Sequence, residues 1–102
     1  MNVSGWTNSK SNNRKAGTLG VRVGRANAEQ YFDKRWPIVY IEMDSTVVPV
    51  KITAGFWSNC PELRSAAIGD WMSGKGMVPW RKGDPPRLML VPVVGNRFRL
   101  SC

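Results

Sequence analysis

No histidine occurs anywhere in the chain, which removes the commonest general base and the commonest transition-metal ligand together. Only two cysteines are present, Cys60 and Cys102, without CxxC spacing. That excludes a disulfide framework and gives no zinc-site pattern. Cys60, beside Pro61, reads as a small buried cysteine near a helix start; with no histidine partner, Cys-His chemistry is excluded. Acids are scarce, seven Asp and Glu against 15 Lys and Arg. A nuclease-type metal site would need clustered carboxylates, such as an acid two residues before a lysine. Glu42 and Asp44 lie two apart on one expected strand, but Pro49 stands two residues before Lys51. The chain is therefore expected to be non-catalytic, with no metal and no cofactor. No 18-residue apolar run exists to cross a membrane. The opening "MNVSGWTNSK" has no apolar signal core, so a cytoplasmic location is expected.

What is present is a basic, turn-rich globular composition. The 102 residues suit one domain that buries roughly two thirds of its unfolded surface. Hydrophobic residues make up 42%, enough for a core, and 10 glycines supply turns. The net charge of +8 is unevenly spread: residues 1–35 hold seven cations against two acids, 36–70 two against four, and 71–102 six against one. If the first and last strands pair, the two basic ends form one field, whose natural partner is a polyanion.

Residues 1–17 contain no acid and few apolar side chains, and read as a flexible basic arm ahead of one domain over 18–102. Its Lys10, Arg14 and Lys15 either meet phosphates or simply solubilise the tail. Leu19, Val21 and Val23 alternate with Gly20, Arg22 and Gly24, the period of a half-buried strand. Asn27 follows as an N-cap candidate, opening a short helix that carries Tyr31 and Phe32. Two strands, 38–43 and 47–52, make a hairpin about Asp44-Ser45, with Pro49 at a bulge or on an edge. A second helix is expected over 61–73, capped by Ser58 or Asn59, its stripe formed by Leu63, Ala67 and Trp71. Strands at 87–91 and 97–100 close the chain around a Val94-Gly95-Asn96 turn.

Arg22 and Arg25 flank Gly24, which permits close backbone approach, and Arg25 stands at an expected helix start. Such arginines suit a phosphate or a guanine edge; equally, they suit a solvated basic face. Arg97 and Arg99 alternate with Phe98 and Leu100 and so leave the core. Trp36 and Trp80 stand beside basic residues, Trp80 next to Arg81 and Lys82. They are candidates for base stacking or for packing, whereas Trp57 and Trp71 sit in apolar contexts that suit the core.

The succession "GVRVGRANAEQYF", "IVYIEMD", "VVPVKITAGFW", a helical segment, "WRKGD" and "RLMLVPV…FRL" resembles, over about residues 18–101, the DNA-binding pseudobarrel. That fold is shared by plant B-three transcription-factor domains and restriction-enzyme effector domains of the EcoRII N-terminal type. The resemblance implies an α+β, mainly β fold: a small open pseudobarrel of about seven strands with two short helices. It further implies two strand-loop arms gripping the major groove of double-stranded DNA. One arm would be Leu19–Arg25, with Arg22 and Arg25 as readers and Asn27 beside them. The other would span Lys51–Asn59 and include Trp57, Ser58 and Asn59. The chain departs from the plant pattern at 61–73, where those domains usually have a strand before their helix. The expected nucleic-acid residues are thus Arg22, Arg25, Asn27, Lys51, Trp57, Ser58, Asn59, Trp80, Arg81, Lys82, Arg97 and Arg99. The rival readings are a single-strand or RNA binder using Trp36 or Trp80, and a protein-interaction module of the inhibitor or antitoxin kind.

Overall fold

A computed structural model describes residues 1–7, 19–81 and 83–102. Seven strands run in the order β1 (Asn2–Thr7), β2 (Leu19–Arg22), β3 (Ile38–Met43), β4 (Thr46–Lys51), β5 (Glu62–Arg64), β6 (Arg87–Val94) and β7 (Arg97–Ser101). Helices α1 (Arg25–Tyr31), α2 (Ala54–Ser58) and α3 (Ala66–Gly74) interrupt them. All seven strands form one sheet, ordered β4-β3-β7-β6-β1-β2-β5. The edge strands β4 and β5 come back toward each other, so the sheet rolls into a nearly closed barrel. The expected class, a small mainly β pseudobarrel, is the one found, with three helices rather than two.

Alternation in the sequence decides which side chains fill the barrel. Val21, Val39, Ile41, Val50, Leu63, Leu90, Phe98 and Leu100 point inward and are almost wholly buried. Helices contribute Ala28 from α1 and its C-cap Phe32, Phe56 from α2, and Ile68 and Met72 from α3 to the same core. Phe32 stacks on Phe98 at 4.6 Å between ring centroids, and Phe56 lies 5.2 Å from Phe32. Aromatic contacts of this kind add about 0.5–1.5 kcal/mol to the area they bury. Pro49 lies on edge strand β4, where its missing N–H costs the ladder no bond.

Six expectations are corrected here. Residues 2–7 of the expected arm are strand β1, held between β6 and β2; the remainder, with Lys10, Arg14 and Lys15, falls outside the described residues. Gly5 occupies an inward position of β1, and a Cβ there would stand 2.8 Å from Pro86 Cγ and 3.0 Å from Met72 Cε. The strand thus places no side chain where the alternation would announce it.

The helix expected over 61–73 begins only at Ala66, with the Ser65 hydroxyl accepting from the Ala67 N–H at 3.2 Å. Glu62–Arg64 is instead strand β5, which pairs with β2 and satisfies a row of backbone groups that β2 would otherwise expose. A strand therefore does precede this helix. Ser58 and Asn59 are the last residue and the C-cap of α2 rather than caps of a later helix. Asn27 lies within α1, whose N-cap is Gly24 at φ 89°; the positive φ is one that glycine adopts without strain.

Cys60 is exposed rather than buried, because it lies in the connection between α2 and β5. The first and last strands do not pair, since β6 separates β1 from β7.

Candidate nucleic-acid interface

Where the barrel fails to close, a groove of ≈ 820 Å³ runs between the two edges of the sheet. Arg22 and Arg64 reach it from the β2–β5 side, and Lys51 from the end of β4. Asn59, the α2 C-cap, also lines it. Register explains the placement. Arg22 pairs with Glu62 and Gly20 with Arg64, so both arginines fall on the outer face while Leu63 packs inward.

Glu62 organises the two cations. Its carboxylate accepts from Arg22 Nη2 at 3.3 Å and from Arg64 Nη2 at 3.0 Å. Its side chain is only 4% exposed, against 56% for Arg22 and 62% for Arg64. The acid is therefore covered and the guanidinium groups face outward, so the groove presents a positive surface.

Arg64 also lies over the ring of Trp6, 4.5 Å from its centroid. The two meet across Gly20, since Trp6 pairs with Gly20 and Gly20 with Arg64. A Cβ at Gly20 would stand 2.3 Å from the Leu63 carbonyl oxygen, so no other residue fits without moving β5.

The two expected arms are neighbours. Arg25 Nη2 donates to the Asn59 carbonyl at 3.3 Å, joining the start of α1 to the end of α2. Across the sheet from the groove, Ser4 pairs with Arg22 on one side and Arg87 on the other. These three line a second, shallower depression together with Gly24. The cationic surface thus continues from Lys51 through Arg64 and Arg22 to Arg87.

Not every expected residue takes part. Asn27 Nδ2 donates to the Asn2 and Val23 carbonyls at 2.9 and 3.0 Å, so it latches α1 to β1. Ser58 Oγ donates to the Ala54 carbonyl within its own helix. Trp80 packs against the core as a half-buried ring. Arg81 is exposed and lines neither depression, and Lys82 falls outside the described residues.

Arg97 and Arg99 stand on β7, with β6 and β1 between them and β2. They clamp Glu42: Arg97 Nε donates to Oε2, and Arg99 donates through Nε and Nη2 to Oε1, each at 3.2 Å. These hydrogen bonds, that of Arg97 foremost, hold the Glu42 carboxyl below its ordinary pKa. Arg97 and Arg99 thus answer to a different carboxylate from Arg22 and Arg64, and of the C-terminal arginines it is Arg87 that lines a depression with Arg22. Asp44 belongs to neither clamp, because it accepts from Trp71 Nε1 at 3.1 Å and pairs with Lys75 at 3.2 Å.

Trp57 lies on the other side of α2 from the groove. With Trp36, Tyr31, Lys34 and Glu29 it lines a cleft of ≈ 600 Å³. Lys34 Nζ stands 5.5 Å from the centre of the Trp57 ring. The Trp57 Nε1 is buried and has no hydrogen-bond partner among the described residues. At the rim, Arg35 grips both oxygens of Asp33, which brings the Asp33 carboxyl down to about 2.

Sequence reasoning missed Arg64, Arg87 and Trp6 as site residues. Arg64 was hidden because its strand is three residues long. The Glu62-x-Arg64 spacing, with both side chains on one strand face, was the available signal.

Among the described residues no three Cys, Asp or Glu side chains gather as a metal site, and no helix is long and apolar enough to cross a membrane. Comparisons with protein-family models, curated proteins and solved structures find no match for this chain.

Proposed function

We propose that this chain is a non-catalytic nucleic-acid-binding protein that seats the backbone of double-stranded DNA along the cationic groove between the barrel's edges. The observation that carries the reading is the convergence of Arg22, Arg64 and Lys51 from both edges on one groove. Rigid strands mount these side chains, so little conformational freedom is lost when they meet phosphates. Duplex is favoured over single strand because the groove offers no open stacking platform: Phe56 is buried and the Trp6 ring lies beneath Arg64. The resemblance to plant B-three and EcoRII-type pseudobarrels supports the same partner, and β5 supplies the strand before the helix that the plant pattern has.

The test is competition between a labelled duplex and unlabelled duplex, single-stranded DNA or RNA. Duplex should displace the label at the lowest concentration; preferential displacement by single strands would reject the reading.

One observation favours a protein partner instead. The outer face of β3, β4, β6 and β7 exposes Tyr40, Val47, Val91 and Val94 around the Glu42 clamp, a mixture that suits a protein surface. Under that reading Val91→Asp would abolish function while leaving duplex binding intact.

A further inference from the structure

We infer that the cleft between Trp36 and Trp57 takes one unpaired nucleobase, an inference that rests on the nucleic-acid reading of the neighbouring groove. The two sites flank one short helix. Thr53, Gly55 and Phe56, in or beside α2, line the groove, while Thr53, Ala54 and Trp57 line a depression on its other side. That depression shares Lys34, Trp36 and Trp57 with the cleft. α2 has five residues, about 7.5 Å of helix, so a nucleotide leaving a strand in the groove has one short element to pass.

The chemistry of the cleft matches a base rather than a backbone. With a volume of ≈ 600 Å³ the cleft is open to solvent on one side, which suits the face of a flat ring lying on a platform. Trp36 and Trp57 are only half-buried, and both line the cleft. Trp36 is steadied by edge contacts with Phe32 and Phe98 at 6.3 and 6.1 Å, and Trp57 by one with Phe56 at 5.1 Å. A stacking platform whose rotamers are already fixed loses little entropy on binding.

The Lys34 ammonium now covers the Trp57 ring. A base stacking there takes its place, and the displaced ammonium meets the nucleotide's phosphate. Lys34 and Glu29 form no ion pair among the described residues, so both are available. Glu29, an acceptor only, pairs with an exocyclic amine; this selects adenine, cytosine or guanine over thymine. Asp33 does not compete for that role, because Arg35 occupies both its oxygens.

The experiment compares a short duplex carrying a single bulged adenine with the same duplex carrying an abasic bulge. Base stacking should make the adenine bulge bind about tenfold tighter to the unaltered protein. Trp57→Leu should erase that preference while affinity for blunt duplex stays unchanged. Equal affinity for the two bulges, or a preference that survives Trp57→Leu, would overturn the inference. If Trp57→Leu lowers the melting temperature too far for use, Glu29→Gln serves. It should abolish the preference for a bulged adenine over a bulged thymine, and its persistence would count against the cleft. Should no duplex bind at all, the groove reading fails by itself. The cleft is then tested by calorimetry with a dA tetramer against an abasic tetramer, where equal heats would reject it.

Discussion

Among the described residues two carboxylates are each clamped between two arginines, and the Glu62 clamp is the one that lines the groove. Glu62 holds Arg22 and Arg64 through a single Nη2 contact each. Glu42 holds Arg97 and Arg99 through Nε, and engages Arg99 a second time through Nη2. A guanidinium has five N–H donors in a fixed fork. Among the described residues Arg22 and Arg64 therefore leave Nε and Nη1 unengaged, whereas the Glu42 clamp has turned more of its donors inward. Surroundings widen the difference. Lys51 faces the first clamp across a groove, while Val47 and Val91 stand in line with the second on a plain sheet face. Two Arg-Glu-Arg arrangements of the same composition thus differ in hydrogen-bond geometry and in the concavity around them.

The sharpest way to break the comparison is to spoil the backbone approach that builds the first clamp. Gly20→Ala would set a Cβ against the Leu63 carbonyl and force β5 away from β2. Overpacking against backbone should cost about 3 kcal/mol, read as a lower denaturation midpoint, and duplex affinity should fall with it. The equivalent insertion beside the Glu42 clamp presses on no neighbouring strand: Gly95, in the turn before β7, has open space around it, and at φ 55° an alanine there strains only its own turn.

Next in size is loss of the cations themselves. Arg22→Ala and Arg64→Ala should each weaken duplex binding by about 1–3 kcal/mol, measured by anisotropy. Arg97→Ala and Arg99→Ala should change it by less than about 0.5 kcal/mol, the range for surface changes away from a site. Equal losses from both pairs would show that the clamps act alike.

The smallest effect is acid sensitivity. Asp33 and Glu42 both have depressed pKa values in the folded chain. Their ion pairs thus stabilise the protein fully above the ordinary carboxylate range, and that contribution fades as pH falls through the lowered values. For Asp33 the window runs from the ordinary aspartate value of 3.8 down to about 2. Melting curves between pH 5 and pH 2 should show a shallower acid loss in Arg35→Ala than in the unaltered protein.

Much of this arrangement was legible in the residues. Alternation gave β2, β3, β4 and the start of β6, and it placed Arg22, Arg97 and Arg99 outside the core. The failures share a cause, which is that the informative position held no side chain or the element was too short to show a period. Gly5 stands inward in β1 and leaves the strand without a signal. Leu63 is the lone inward residue of β5, and a lone apolar residue fits a helix stripe as well as a strand.

The groove was half visible. Arg22, Lys51 and Asn59 were named as parts of two arms, but Arg64 depends on β5 and Trp6 on β1. The likeness of Arg22 to Arg97 in sequence also concealed that β6 and β1 separate their strands. Strand order is set by non-local pairing, which no local pattern records.

The account turns on the cations of the groove, rather than the net charge of the whole chain, meeting the phosphates of a duplex. The most direct measurement is the slope of log affinity against log salt for the unaltered protein, for Arg22→Ala/Arg64→Ala and for Arg97→Ala/Arg99→Ala. The groove variant should flatten the slope by about 0.9 per lost phosphate contact, and the Glu42-clamp variant should leave it unchanged. Identical slopes in all three proteins, or equal flattening in both variants, would contradict the assignment.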